Sequence, residues 1–502
     1  MSTLTPLPPY SDEELAKLYP DSLELRQVQV LLRHGERTPV SARFQNAGLA
    51  GHWPYCKAAS NFKSVVLTAN GSWDTLEWKR RLETFGADNA PVPSAGPKGE
   101  IAGICQPGEL TDRGRESTLA LGQRTRKLYV DQLGFLPASL GAQSASDVYL
   151  RSTPIQRALE SVQQTYAGLY PPASRASDLP APTVVTRTFP DETLYPNEGG
   201  CKRFGQLSKA FADRTAEVWN DSPEMRYLNT KIGKWMPKEN PTVKVDGHPR
   251  LSGIMDTINA TLAHGPATKL PSEFYDPTVI KNIDRICTEE WFIGYQESNE
   301  YRKLGIGGLV GDLTQRMVEQ ASGKGTAEKF KISLAGCHDT TLASALAALG
   351  AFDIARDHWP NYTSSIAFEL FRRKSSASKT ATQSTTGAVW PTKERTWWSS
   401  LFSSSTTPSS ISARTPLADL QPSERQKLDE YYVRLRYNDR PVTLPYCQQT
   451  GRHLENDESF CTLAAFKEAA DSFTPKDWKA ECSANMGEPA IRAVIERPPG
   501  LA

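Results

Sequence analysis

The chain has 502 residues, enough for a large buried core with an inserted unit. Its 58 Lys and Arg balance 57 Asp and Glu, so it lacks the basic surplus of a nucleic-acid binder. No apolar run approaches the ~18 residues that a membrane span needs, so no transmembrane segment is expected.

Residues 1–24 are polar and proline-rich and read as an arm with a helical turn or two. They show no basic stretch followed by an apolar core, as a secretory leader would, and Asp12, Glu13 and Glu14 disfavour a mitochondrial presequence. The expectation is an intracellular protein, cytoplasmic rather than mitochondrial, and not secreted. Cys56, Cys105, Cys201, Cys287, Cys337, Cys447, Cys461 and Cys482 are then expected as free thiols. None stand in a CxxC pair, which argues against a structural zinc site. Sequons occur at Asn70, Asn220, Asn259 and Asn361 and matter only in a secreted chain.

Leu25, Val28, Val30, Leu31 and Leu32 predict a buried strand that ends in "RHGERTP" at 33–39. Residues 108–130 predict an amphipathic helix. Residues 147–172 read as strand, turn and helix, with Ser152 or Thr153 as the cap and Pro154 in the first turn. Residues 190–300 look helical and lose the strand-then-helix rhythm. It returns at 330–350, where Ile332 and Leu334 form a strand, Gly336 a tight turn, and "TTLASALAALG" a helix. Strands follow at 365–373 and 431–444, the latter broken by a turn at Asn438-Asp439. Between them, residues 375–415 hold 21 Ser or Thr in 41 positions, a composition expected to stay unfolded. Within it Trp397, Trp398, Leu401 and Phe402 share one helical face. The plain reading is a turn docked on its own protein, and the sharper one is a weak contact with a membrane surface or a partner. The organisation is an arm at 1–24, a core at 25–189 and 301–490, a helical cap at 190–300, and the insertion at 375–415.

Three strand ends release polar clusters: Arg33, His34 and Arg37; Arg151, Ser152 and Thr153; His338 and Asp339. In open α/β sheets the carboxyl ends of neighbouring strands build sites. Convergence would set three guanidinium forks, matched to phosphate oxygens, around two imidazoles and a carboxylate. Arginines would meet the charge of a phosphoryl group in transfer without a metal or cofactor. His34 could attack phosphorus, Asp339 could protonate the leaving oxygen, and His338 would add a hydrogen bond to the phosphate. Surrounding cations would lower the pKa of His34 and keep a lone pair available in mild acid. Taken singly, each cluster is better read as a solvated loop, a helix cap or a salt bridge; together, at the same strand-end punctuation, the three favour a site.

"RHGERTP" (33–39) resembles the Arg-His-Gly-x-Arg-x-Pro signature of the histidine acid phosphatases, and "CHDTTLASALAALG" (337–350) resembles their His-Asp motif and helix. "LRST" (150–153) resembles the segment with their third phosphate arginine. "GELTDRGRESTLALGQRTRKLYV", "YYVRLRYNDRPVTLPYC" and "CTLAAFKEAADSFTPKDWKAEC" resemble further stretches, so the resemblance covers most of 25–482. It implies a three-layer α/β core, with a mostly parallel sheet flanked by helices, and an inserted, mainly helical cap. It implies His34 as nucleophile, Asp339 as proton donor, and Arg33, Arg37, Arg151 and His338 as phosphate ligands. The expected substrate is a small phosphomonoester, the missing leader pointing to the lysophosphatidic acid phosphatase type. Secreted relatives often carry bridges where Cys447, Cys461 and Cys482 stand. The alternatives are a phytase-like or phosphomutase-like member of the superfamily and, from another class, a non-catalytic phosphate-binding protein. Against a phytase, residues 190–300 hold 13 Lys and Arg to 17 Asp and Glu.

Overall fold

The computed structural model describes residues 8–323, 329–374, 414–494 and 496–501. Residues 375–413, including the Trp397–Phe402 segment, lie outside the described residues.

A nine-stranded sheet forms the middle layer. Its central strand, β1 (Leu23–Arg33), is buried without break from Gln27 onward. A strand buried on both faces suits a place covered by helices on either side. The others are β2 (Val148–Ser152), β3 (Val184–Val185), β4 (Ile332–Cys337), β5 (Ser365–Arg373), β6 (Tyr431–Tyr437), β7 (Arg440–Val442), β8 (His453–Leu454) and β9 (Asp457–Thr462). The spatial order is β8-β9-β6-β5-β1-β4-β2-β3, with β7 beside β6. β1, β4, β2 and β3 are mutually parallel, and the strands beyond β1 pair antiparallel. Tracing these pairings, six of the nine strands run one way and β5, β7 and β9 run the other.

The register decides where chemistry gathers. Arg33 pairs with Cys337, and Ser152 pairs with Gly336. The three parallel strands therefore end level, and the residues after them open into one crevice. Gly336 lies inside β4, not in a turn as its sequence context suggests. A Cβ there would stand 2.5 Å from the carbonyl oxygen of Ala158, so only glycine lets the neighbouring helix come this close.

Helices α1 (Asp112–Arg126) and α2 (Gln156–Leu169) cover one face, packing Leu121, Val162 and Leu169 on Val30, Leu32 and Leu334. Four helices follow: α3 (Lys202–Trp219), α4 (Pro223–Ile232), α5 (Leu251–Ala263) and α6 (Pro277–Glu297). Leu228, Ile254, Ile258, Ile283 and Ile286 from α4, α5 and α6 form a second core with Phe44, Leu49 and Trp53. The opposite face of the sheet carries α7 (Gly308–Ser322), α8 (Asp339–Ala348) and α9 (Leu463–Asp471), with Leu313, Leu342 and Phe466 packed on Leu31, Ile366 and Phe368. α8 is buried on nearly every side, as its alanine-rich sequence permits. Truncating Leu342 or Leu346 would cost about 2–5 kcal/mol.

Two expectations change. Neither Ser152 nor Thr153 caps α2, whose cap position is Ile155. The cysteines pair: Cys56–Cys105, Cys201–Cys482 and Cys447–Cys461 are disulfides, and only Cys287 and Cys337 are free and buried. Partners separated by 49 and 281 residues meet only through the fold, which is why spacing alone gave no sign of them.

Candidate active site

β1 delivers Arg33, then His34 turns into the loop. The His34 amide donates to the Cys337 carbonyl at 3.1 Å, and the Thr363 amide donates to the His34 carbonyl at 3.2 Å. Gly35 donates to Ser161 Oγ on α2 at 3.1 Å. A Cβ on Gly35 would meet the Gly114 carbonyl oxygen at 2.2 Å, and one on Gly114 would meet that of Glu36 at 2.2 Å. The loop and the first turn of α1 thus touch backbone to backbone. Thr111, the N-cap of α1, closes the joint by donating its hydroxyl to the Glu36 carbonyl at 3.1 Å.

His34 is buried, and its Nδ1 lies 2.9 Å from the Gly35 carbonyl. A carbonyl can only accept, so Nδ1 carries the proton and the lone pair sits on Nε2. Burial pushes the pKa of His34 well below the usual imidazole value, and Arg157, Arg33 and Arg37 push it further. The His338 ring lies 5.5 Å away, centroid to centroid. Thr153 Oγ1 and His338 Nε2 are 3.1 Å apart, so the residue expected to cap α2 instead anchors this second imidazole. Burial, with Arg157 next, keeps His338 neutral as well.

Asp339 begins α8. Its Oδ2 faces Arg33 Nη2 at 2.6 Å and accepts from Trp359 Nε1 at 3.0 Å. Oδ1 accepts from the Thr340 amide at 2.9 Å. Burial alone would raise the pKa of this carboxyl; Arg33, the indole donor and Arg37 overcome that and hold it below the ordinary range. Arg33 also donates to the Pro360 carbonyl and lies 4.2 Å over the ring of Tyr362. Arg37 is held by Asp256 of α5 at 2.6 Å.

Five of the six residues expected from the sequence meet here: Arg33, His34, Arg37, His338 and Asp339. Arg151 does not. Strand residues alternate between faces, and position 151 turns towards α7, where its guanidinium pairs with Glu192 at 2.7 Å and Asp312 at 3.8 Å. The third arginine of the cluster is Arg157, in the first turn of α2. Among charged groups it acts most strongly on both imidazoles. Burial first, then Arg37, pushes its pKa down to about 10. Among the described residues its guanidinium forms no salt bridge, and its Nε is buried without a hydrogen-bond partner. Arg157 was legible in principle: it sits where a helix first turn follows a strand end, a position whose amides and dipole favour an anion.

Two buried guanidiniums and a half-buried third, two neutral imidazoles and one carboxylate at level strand ends suit a phosphate ester. The chain belongs to the histidine phosphatase superfamily (branch 2), which matches residues 24–386. It is accordingly a hydrolase of phosphate monoesters. It is 34% identical over 465 residues to "Probable acid phosphatase SPBC4.06" of Schizosaccharomyces pombe, covering 92% of this chain and 95% of that one. It is 24% identical over 364 residues to human "Lysophosphatidic acid phosphatase type 6", covering 70% and 74%. Among solved structures, a Bifidobacterium longum multiple inositol polyphosphate phosphatase complexed with inositol hexasulfate shares the fold, with a TM-score of 0.52, 12% identity, and coverage of 95% and 98%.

Proposed function

We propose that the chain hydrolyses small phosphate monoesters through a phosphohistidine on His34. Support comes chiefly from Arg157, a half-buried cation whose Nε is buried without a hydrogen-bond partner and which has no salt bridge among the described residues, acting on a histidine whose lone pair sits on Nε2. Burying a charge is costly unless it is paired, and a phosphoryl group supplies the partner. Arg33, Arg37 and Arg157 take its oxygens, and Nε2 forms the N–P bond as the ester P–O bond breaks.

Asp339 is a carboxylate in the free protein, so the proton for the leaving alkoxide must come from elsewhere. In mild acid the substrate is largely a monoanion, since a phosphomonoester has its second pKa near ~6. As Arg33 turns to the phosphoryl oxygens, that proton passes to Asp339 and then to the departing oxygen, giving the alcohol. In the second step Asp339 takes a proton from water, the oxygen attacks phosphorus, and His34 leaves as a neutral imidazole. Lysophosphatidic acid is the substrate we favour, on the likeness to the human enzyme of that name.

Three disulfides suit an oxidising compartment. We propose such a location in place of the intracellular one expected from the sequence. The test of the mechanism is rapid quenching with ³²P-labelled substrate. An acid-labile, alkali-stable phosphoramidate mapped to His34, and lost in His34→Ala together with turnover, is expected. Label on another residue during steady turnover would overturn the proposal.

A further inference from the structure

Trp359 lies beside the carboxyl that the proposed mechanism uses to protonate the leaving group. Its indole N–H donates to Asp339 Oδ2, the oxygen that also faces Arg33. Once a phosphoryl group draws Arg33 away, the indole N–H is the side-chain donor that remains on that oxygen. It can keep the carboxyl aimed at the scissile bond when the carboxyl would otherwise follow the guanidinium.

Trp359 is itself fixed from the cap side. Its amide donates to Asp284 Oδ1 at 3.1 Å, and Asp284 Oδ2 takes His358 Nδ1 at 2.7 Å. Asp284 lies on α6, and so do the rings that pack on Trp359: Phe292 at 5.1 Å and Trp291, edge-on, at 5.9 Å. Trp291 remains 37% exposed. An indole left open to solvent, one ring from the carboxyl of a reactive site, is surface that an apolar ligand can cover. The neighbouring charges do not favour a polyanion. Arg43 and Arg250, on the flanking segments, are paired with Asp256 and Glu290, and Asp284 adds a carboxylate. Arg43 and Arg250 are thus already answered by carboxylates and His358 by Asp284, so none of these groups is a free cation for a second phosphate.

We propose that Trp359 is a positioning residue for Asp339 and that Trp359 and Trp291 form the wall that binds the alcohol part of the ester, selecting an apolar or aromatic leaving group over a highly charged one. This rests on the phosphatase reading above. In a purely packing role, Trp359 would matter equally for every ester. As a positioning residue it matters most where the leaving oxygen needs a proton.

The experiment compares p-nitrophenyl phosphate, glycerol phosphate and decyl phosphate on the full chain. Trp359→Phe keeps an aromatic ring and loses the donor. Its kcat on glycerol phosphate should fall about tenfold more than on p-nitrophenyl phosphate, whose leaving group departs unprotonated. Trp291→Ala, a change at the surface, should raise the ratio of KM for decyl phosphate to KM for glycerol phosphate about fivefold. Equal losses on both leaving groups in Trp359→Phe, or an unmoved KM ratio in Trp291→Ala, would overturn the inference while leaving the phosphatase reading intact. A wild-type protein that turns over none of the three esters would overturn both.

Discussion

Two clusters of buried arginine flank β1, and they are built on opposite plans. On β5, Glu369 takes Arg434 at 2.7 Å, Arg436 at 3.2 Å, and the hydroxyls of Tyr19 and Tyr129 at 2.6 and 2.7 Å. Burial alone would raise the pKa of Glu369; the two arginines and the two phenols hold it at about 2. That cluster carries its own anion and is closed. At the strand ends on the other side, Asp339 and Asp256 answer Arg33 and Arg37, and Arg157 is left over. A closed cluster has nothing to gain from a ligand. A half-buried cation outside any salt bridge among the described residues does, and on our reading it marks where an anion from solution binds. Arg151, with Glu192 and Asp312, belongs to the closed kind, although it lies six residues from Arg157.

Exchanging the two arginines is the sharpest way to break this contrast. Arg157→Met should lower kcat/KM by roughly 10²–10³-fold, as loss of an oxyanion donor does. It should leave the unfolding free energy of the ligand-free protein undiminished, because the removed charge has no salt bridge to lose. Inorganic phosphate should raise the Tm of the wild type and not of this variant. Arg151→Met should behave oppositely. It strands Glu192, which is fully buried, and should cost about 3–5 kcal/mol in urea unfolding, with the folded fraction retaining turnover. A stable, inactive Arg151→Met beside an unstable, active Arg157→Met would reverse the two assignments.

The closed cluster predicts a pH signature. A carboxyl depressed from ~4.3 in the unfolded chain to about 2 in the native one stabilises the fold fully above its unfolded value. That stability is lost as pH falls through the native value, because the native state must then take up the proton it had excluded. Glu369→Gln should destabilise by about 3 kcal/mol or more at pH 6 and flatten the fall in stability between pH ~4.3 and ~2 relative to wild type. Urea titrations at several pH values check both, and a slope that survives in Glu369→Gln would place the acid lability elsewhere.

Much of this was readable before any coordinates. The apolar Val28, Val30, Leu31 and Leu32 of β1, the strand and alanine-rich helix around His338, and the turn at Asn438-Asp439 all carry local signals, and the last is observed with φ of 46° and 66°. Five site residues sit at strand ends that local reading can find. What escaped depended on direction or on distance. Position 151 ends a strand, but its side chain leaves through a face of the sheet, whereas position 157 points back from a helix first turn. The disulfide between Cys201 and Cys482 joins segments 281 residues apart. The hairpin at 61–79 also gave little periodic signal, because its second strand is exposed along its whole length and its first is half-buried only at Ser64 and Val66.

The subtlest consequence of the open cluster concerns His34 itself. Burial contributes most to its lowered pKa and Arg157 next, so removing that one charge must raise the value. In the mechanism proposed above the attacking form is the neutral imidazole, and activity disappears where His34 becomes protonated. In Arg157→Gln the acid limb of kcat/KM should therefore move to higher pH. Measured on p-nitrophenyl phosphate for both proteins, the ionisation of the substrate cancels in the difference. A limb that stays in place would mean that burial alone keeps the lone pair free, and that the surplus cation serves binding without tuning the nucleophile.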